Sequence, residues 1–272
     1  VGLIIFKLFI MHSTDTYVST SIPKLSRVVP NTVEHLKHYY KMVMTDFKKE
    51  WLVFVALMCV AYVVAVMKES LRNKILAACV AALSLFAMAL LAFGLYPVLE
   101  MPLDAPRAMY GFGIFIAIIA VEIASASKVY LGKVVCLILS WTFFVFSFTY
   151  GNALYVQKEY TDFRITMVVD DLNDLDIMNS GDMKDVQICG TIGYAPAIRN
   201  MPQDYQILNR LVPITFREHW AWGIYGFLTY YDIRNLQVDD SVDLSTMDLP
   251  VLKDTMYHTI RGDANHILIQ LK

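Results

Sequence analysis

The sequence predicts an α-helical membrane protein of about four spans with a small C-terminal α/β domain. Residues 51–150 form four long apolar runs, cut by short polar breaks near 68–74, 100–107 and 127–133. The chain is 57% hydrophobic and 18% charged, against about 45–50% and about 25% for soluble domains. That excess is concentrated in the one block, whereas residues 151–272 are ordinarily polar. A helix needs about 20 apolar residues to cross the hydrocarbon core of a bilayer. A globular helix rarely goes so far without a polar face, because one side must meet water. The expected domains are therefore 1–50, an outward loop and interfacial helix; 51–150, the spans; and 151–272, a soluble domain.

The chain opens Val-Gly-Leu-Ile-Ile-Phe, with no initiator methionine and no signal-peptide pattern. Residues 1–10 read as the end of a preceding span, which makes the chain the C-terminal piece of a longer membrane protein. An amphipathic lead-in is the plainer alternative. Residues 11–30, rich in Ser, Thr and Pro, read as a loop. Asn31 with Glu34 three residues on gives a helix start. Val33, Leu36, Tyr40, Met44, Phe47 and Trp51 then recur at spacings of three and four. They make one apolar stripe, with Lys37, Lys41, Lys48 and Lys49 off it. An amphipathic helix leading into a span suits the membrane interface.

The expected spans are 51–67, 75–99, 108–126 and 134–150. Lys68, Arg72 and Lys74 occupy the first break and Lys128 and Lys133 the third, whereas the middle break holds Arg107 beside Glu100 and Asp104. The positive-inside bias puts the first and third breaks in the cytoplasm and the middle one outside. With an even number of spans, the segment before Trp51 and the tail after Tyr150 also face outward, into the periplasm of a bacterium.

Beyond Tyr150, residues 157–172 continue the last span as a helix emerging into water. Residues 170–176 and 179–182 form an acidic break, read as a solvated loop. Residues 186–192 have strand character, with Gly193 and Pro196 as punctuation. Residues 203–211 and 218–230 are helix candidates. Residues 256–260 and 266–271 are β-type runs joined by Arg261-Gly-Asp-Ala-Asn265, a good hairpin turn.

Net charge is −2, and no basic stripe supplies phosphate neutralisation, which argues against nucleic-acid binding. Cys59, Cys79 and Cys136 lie in apolar spans and Cys189 alone in the soluble part, so no internal disulfide or zinc spacing is read there. The acidic run fails the calcium-loop pattern, because Leu175 falls where a third ligand belongs. Gly190-x-x-Gly193 lacks a Walker lysine and reads as a tight turn. His35 and His38 share a helix face, and His258 and His266 flank the terminal hairpin, but no carboxylate completes a metal set. No metal or cofactor is assigned.

Three features could carry chemistry. Arg107 stands at the outer mouth of the third span, after Pro102 and Pro106 and near Asp104. Its planar guanidinium matches phosphate oxygens, and an interfacial anchor that snorkels to the headgroups is the other reading. Glu122 sits inside a span but about one turn from Ser125 and Lys128, so it reads as reaching the interface. The cluster His219-Trp-Ala-Trp-Gly-Ile-Tyr-Gly226 offers Trp220, Trp222 and Tyr225. Aromatic faces pack on sugar rings, and core packing or interfacial docking are the competing readings.

Outward hairpins bearing Pro-Arg, a last span, and a tail closing on Asp248-Leu-Pro-Val-Leu-Lys-Asp-Thr-Met-Tyr-His-Thr-Ile-Arg-Gly-Asp-Ala-Asn-His-Ile-Leu-Ile-Gln-Leu271 resemble the bacterial O-antigen glucosyltransferases of the serotype-conversion type. These are polytopic GT-C membrane enzymes, and the resemblance covers the four spans and the tail. It implies transfer of glucose from a polyprenyl-phosphate donor to an O-antigen acceptor of lipopolysaccharide, at the periplasmic face of the bacterial inner membrane. It further implies that the essential carboxylates lie in a first outward loop, upstream of Val1. The residues left to contact donor or acceptor are Arg107, Asp104, Lys48, Lys49, Trp220, Trp222 and Tyr225. Trp220-Ala-Trp222 lacks the aspartate of the oligosaccharyltransferase Trp-Trp-Asp motif, so nothing is carried over from that motif. The rival readings are a non-enzymatic membrane protein that handles or transports lipid-linked sugars, and a GT-C enzyme for another sugar.

Overall fold

Among the described residues of this computed structural model, three helices are long and apolar enough to cross a membrane, and a small sheet closes the chain. The structure describes residues 23–71, 73–103, 105–106, 109–127, 129–178, 181–218, 224, 227–229, 231–239 and 241–272. The chain divides into two compact units, Val1–Phe143 and Phe144–Lys272.

In the first unit, α1 covers Leu25–Asp46, α2 Lys49–Glu69, α3 Lys74–Leu91 and α4 Tyr110–Ser125. Helix α5 runs from Tyr130 to Asp174 and is common to both units. Asn73 caps α3, its side chain accepting from the N–H groups of Ile75 and Leu76 at 3.0 and 3.1 Å. Helix α2 packs on α3 and α4, and α3 packs on α4. Few of their apolar side chains are buried, and Leu57, Leu83, Phe86 and Ile114 are among the exposed ones. Backbone groups in hydrocarbon have no water to bond, so the helix satisfies them internally and leaves its apolar side chains to the lipid.

Several expectations are corrected. The span expected at 75–99 ends as a helix at Leu91, and the chain then turns through a 3-10 segment, Tyr96–Val98. Pro97 within that segment cannot donate to a continuing helix. The span expected at 108–126 is a helix of 16 residues, about 24 Å long at 1.5 Å per residue. That falls short of the hydrocarbon thickness of about 30 Å, so only local thinning of the bilayer would let it cross. Helix α1 begins at Leu25, not Asn31, and carries Pro30 within it. Proline removes one backbone bond, and the Thr32 hydroxyl meanwhile donates to the Val28 carbonyl at 2.7 Å.

The α1–α2 corner, the end of α3 and the start of α4 lie at one end of the first unit. Phe47 meets Trp51 and Phe112 edge to face at 6.1 and 5.3 Å, and Trp51 meets Phe143 of α5 at 5.2 Å. Gly111 comes so close to the Ala92 carbonyl that a Cβ there would collide with backbone. At the other end, a Cβ on Gly132 would stand 2.8 Å from the Ala61 methyl and 3.0 Å from Ile123.

In the second unit, β1 (Lys184–Cys189), β2 (Leu236–Gln237), β3 (Val251–Asp254), β4 (His258–Gly262) and β5 (His266–Leu271) form a sheet of order β2-β1-β5-β4-β3. β1 runs parallel to β2 and β5, and β5, β4 and β3 are successively antiparallel. The expected hairpin is present, Ile260 facing Ile269. Asp263 closes its turn, its carboxylate accepting from the Asn265 and His266 N–H groups at 2.8 Å each. Those donors hold the Asp263 carboxyl below the usual range.

Val168 and Leu172 of α5 pack with Val186, Ile188, Ile260, Ile267, Ile269 and Leu271 in one buried core. Leu268 points to the other face, against Leu244 and Leu249. A strand covered on both faces reads as a continuous apolar run, which is why 266–271 shows little alternation. The helix candidate at 203–211 resolves into two single turns, Met201–Asp204 and Leu208–Leu211. The candidate at 218–230 lies largely outside the described residues.

Gly111→Ala is expected to lower the thermal stability of the full chain in detergent, because backbone must move to admit the methyl. Gly113→Ala has open space and is expected to leave stability unchanged or raise it, alanine being favoured over glycine in a helix by about 1 kcal/mol. Equal effects of the two would contradict the close approach of α3 and α4.

Candidate functional site

Helix α1 presents one face to the loop that follows α3. His35, Tyr39 and Met42 on that face are 7%, 0% and 9% exposed. A His35 ring nitrogen, Nδ1, lies 2.9 Å from the Pro97 carbonyl; a carbonyl only accepts, so Nδ1 carries the hydrogen. The Tyr39 hydroxyl donates to the Leu103 carbonyl at 3.1 Å, and its ring stacks on Phe93 at 4.8 Å. Two side chains of one helix thus satisfy two backbone carbonyls of a loop with no ladder of its own. The loop is pinned at Phe93, Pro97 and Leu103, the residue before Asp104. Val33, Tyr40 and Met44, the stripe the sequence marked as the apolar face, are instead 47%, 67% and 50% exposed.

The structure places two of the expected site residues. Lys48 precedes α2 in extended conformation, and Lys49 begins it, exposed. They stand beside Phe47 at the end of the unit to which the α3–α4 loop also belongs. Asp104, Arg107, Trp220, Trp222 and Tyr225 lie outside the described residues. The segment leading into the aromatic cluster is described. Thr191 pairs with Arg217, the Glu218 N–H donates to the Gly190 carbonyl, and the Glu218 carboxylate accepts from the Gly190 N–H, both at 2.8 Å.

A second constellation escaped the sequence reading. Asp171, assigned there to a solvated loop, belongs to the last turns of α5, which remains helical to Asp174 because Val168 and Leu172 dock on the sheet. Its carboxylate lies 2.8 Å from His258 Nε2 and 3.1 Å from Lys253 Nζ. Arg164, 2% exposed, donates to the Tyr160 hydroxyl at 2.7 Å and to the carbonyls of Tyr257 and Lys272 at 2.5 and 3.0 Å. Its guanidinium also lies 4.9 Å from the centre of the Tyr257 ring, a cation–π contact. The one advance signal was chemical: Arg164 and Asp171 interrupt the apolar positions of the helix.

Because the carboxylate only accepts, His258 Nε2 carries the hydrogen, leaving Nδ1 as a buried lone pair without a partner. Burial lowers the imidazole from its usual 6.5, with Asp171 opposing the shift and Arg164 and Lys272 adding to it. The His258 side chain is fully enclosed, so this dyad cannot reach a substrate as it stands. It is a polar clamp between helix and hairpin. Among the described residues, no group of His, Cys, Asp and Glu suits a metal. Cys189 is raised above its usual thiol value by burial and by Glu218 and Asp243, which disfavours its thiolate.

Compared with protein-family models, with curated proteins and with solved structures, the chain matches none. The loop held by α1 is therefore chosen on geometry alone as the candidate site.

The folded imidazole is depressed, so the neutral form is the one folding favours. The clamp's stability is complete above pH 6.5 and falls as pH drops through the lowered folded value. Hydrogen-exchange protection of β4 and β5, corrected for intrinsic rates, is expected to decline on acidification over that window. In His258→Gln the decline should flatten, and an identical pH profile in both proteins would exclude the imidazole as its source.

Proposed function

We propose that the chain belongs to a bacterial inner-membrane glycosyltransferase that moves a sugar from a polyprenyl-phosphate donor at the outer face. On the resemblance drawn from the sequence, the sugar is glucose and the acceptor is O-antigen. The observation that supports this reading is the pinned α3–α4 loop. A structured loop leading to Asp104 and Arg107, braced by an amphipathic helix at one end of an apolar bundle, suits the headgroup level where a lipid-linked phosphate would lie. In the four-span topology that accompanies this reading, α4 crosses with local thinning of the bilayer, and the second unit is periplasmic.

The chemistry follows from the bond exchanged. The acceptor hydroxyl attacks the anomeric carbon and loses its proton to a base. The bond from that carbon to the phosphate oxygen breaks, and the lipid phosphate departs with the electron pair. Arg107, through its planar fork, stabilises the charge that develops on the phosphate, with Lys48 and Lys49 adding positive potential. Trp220, Trp222 and Tyr225 offer faces for the sugar rings. On the resemblance, the base is a carboxylate of the family's first outward loop.

Removal of one charge-stabilising donor costs about a hundredfold in turnover. Arg107→Ala in the full-length protein is expected to reduce glucose transfer from polyprenyl-phosphate glucose to lipopolysaccharide by that order, measured in isolated membranes. Unchanged transfer would remove Arg107 from the site. Donor binding without turnover by the unsubstituted protein would favour a carrier of lipid-linked sugars over an enzyme.

A further inference from the structure

Helix α1 has two apolar faces, and the fold uses one of them. At 100° per residue, His35, Tyr39 and Met42 fall within an arc of about 60°, and this arc is buried against the α3–α4 loop. Val29, Val33, Tyr40 and Met44 fall within a second arc of about 60°, centred about 140° away. These four side chains are 70%, 47%, 67% and 50% exposed. Half-buried Leu36 and Val43 fill the interval between the arcs on one side. On the other side Lys37 and Lys41, both exposed, border the open arc.

Four large apolar side chains in a row, left to water, forgo the free energy that an apolar occupant would supply. Their occupant must be apolar at the centre and tolerate cations along one edge. We propose that this second face rests in the acyl–headgroup boundary of the bilayer that holds the spans, with Lys37 and Lys41 on anionic lipid phosphates. Continuity with the first span supports lipid as the occupant: α1 ends at Asp46 and α2 begins at Lys49. The lysines complement anionic headgroups, and their stems extend from the edge of an embedded stripe to the phosphate level. The helix is then a strut with lipid on one side and the α3–α4 loop on the other. Anionic lipid thereby fixes the height of that loop above the hydrocarbon, whichever group the loop binds.

The test uses the full chain in vesicles of phosphatidylcholine and phosphatidylglycerol. A photoreactive residue at Val33, Tyr40 or Met44 is expected to give lipid adducts, and at Glu34 or Thr45, both exposed but off the arc, to give few. Among the lipid adducts, phosphatidylglycerol is expected to exceed its share of the bilayer about fivefold, the gain from one lysine at a charged surface. Lys37→Glu combined with Lys41→Glu should abolish that excess. Polypeptide adducts at the three stripe positions, or equal lipid yield at all five positions, would overturn the proposal in favour of a protein partner or open water. A phosphatidylglycerol share untouched by the double variant would overturn the role of the lysines.

Discussion

The unbroken backbone of α5 is the constraint on which both units depend. Its 45 residues contain no proline, so an apolar stretch and a polar one share one hydrogen-bonded ladder. Over its first part the side chains are those of a span, and Gly132 and Phe143 give it close contact with Ala61 and Trp51. Over its last part Val168 and Leu172 supply one wall of a β-sheet core. One helix thus answers two different demands, lipid-compatible at one end and amphipathic at the other.

The polar clamp explains how the second demand is met. A helix tail rich in aspartate would ordinarily fray, and like charges near a helix C-terminus are unfavourable to its dipole. Asp171 escapes this because Lys253 and His258 come to it from the sheet. Arg164 performs the reciprocal service, donating to the Lys272 carbonyl and to the Tyr257 carbonyl, which also accepts from the Lys272 N–H. Removing one member of such a buried set costs more than the net strength of the set, because its partners stay desolvated.

Features governed by neighbours in sequence were readable, and features governed by distant partners were not. The apolar runs, the hairpin turn at Asp263 and the strand before Gly190 announce themselves through local chemistry. β3 did not, because Val251 and Leu252 are exposed on an edge and carry no alternation. Asp171 looks like a loop residue until its partner 87 positions away is known. The α1 stripe was recognised as apolar, yet which of two arcs met protein depended on Pro97 and Leu103, far along the chain. Of the candidate site, the sequence named Asp104, Arg107 and the amphipathic helix, and folding revealed that this helix holds the Pro97 and Leu103 carbonyls.

The contact between Gly111 and the Ala92 carbonyl makes the α3–α4 connection a closed ring. When the two ends of a loop already touch, its length is decoupled from the elements it joins, since the entropy of closing a longer ring grows only logarithmically. Insertions into that ring away from Pro97 and Leu103, where α1 holds it, are then thermodynamically cheap, whereas a side chain at Gly111 is not. Evolution can therefore vary the length of this loop while its neck is held constant.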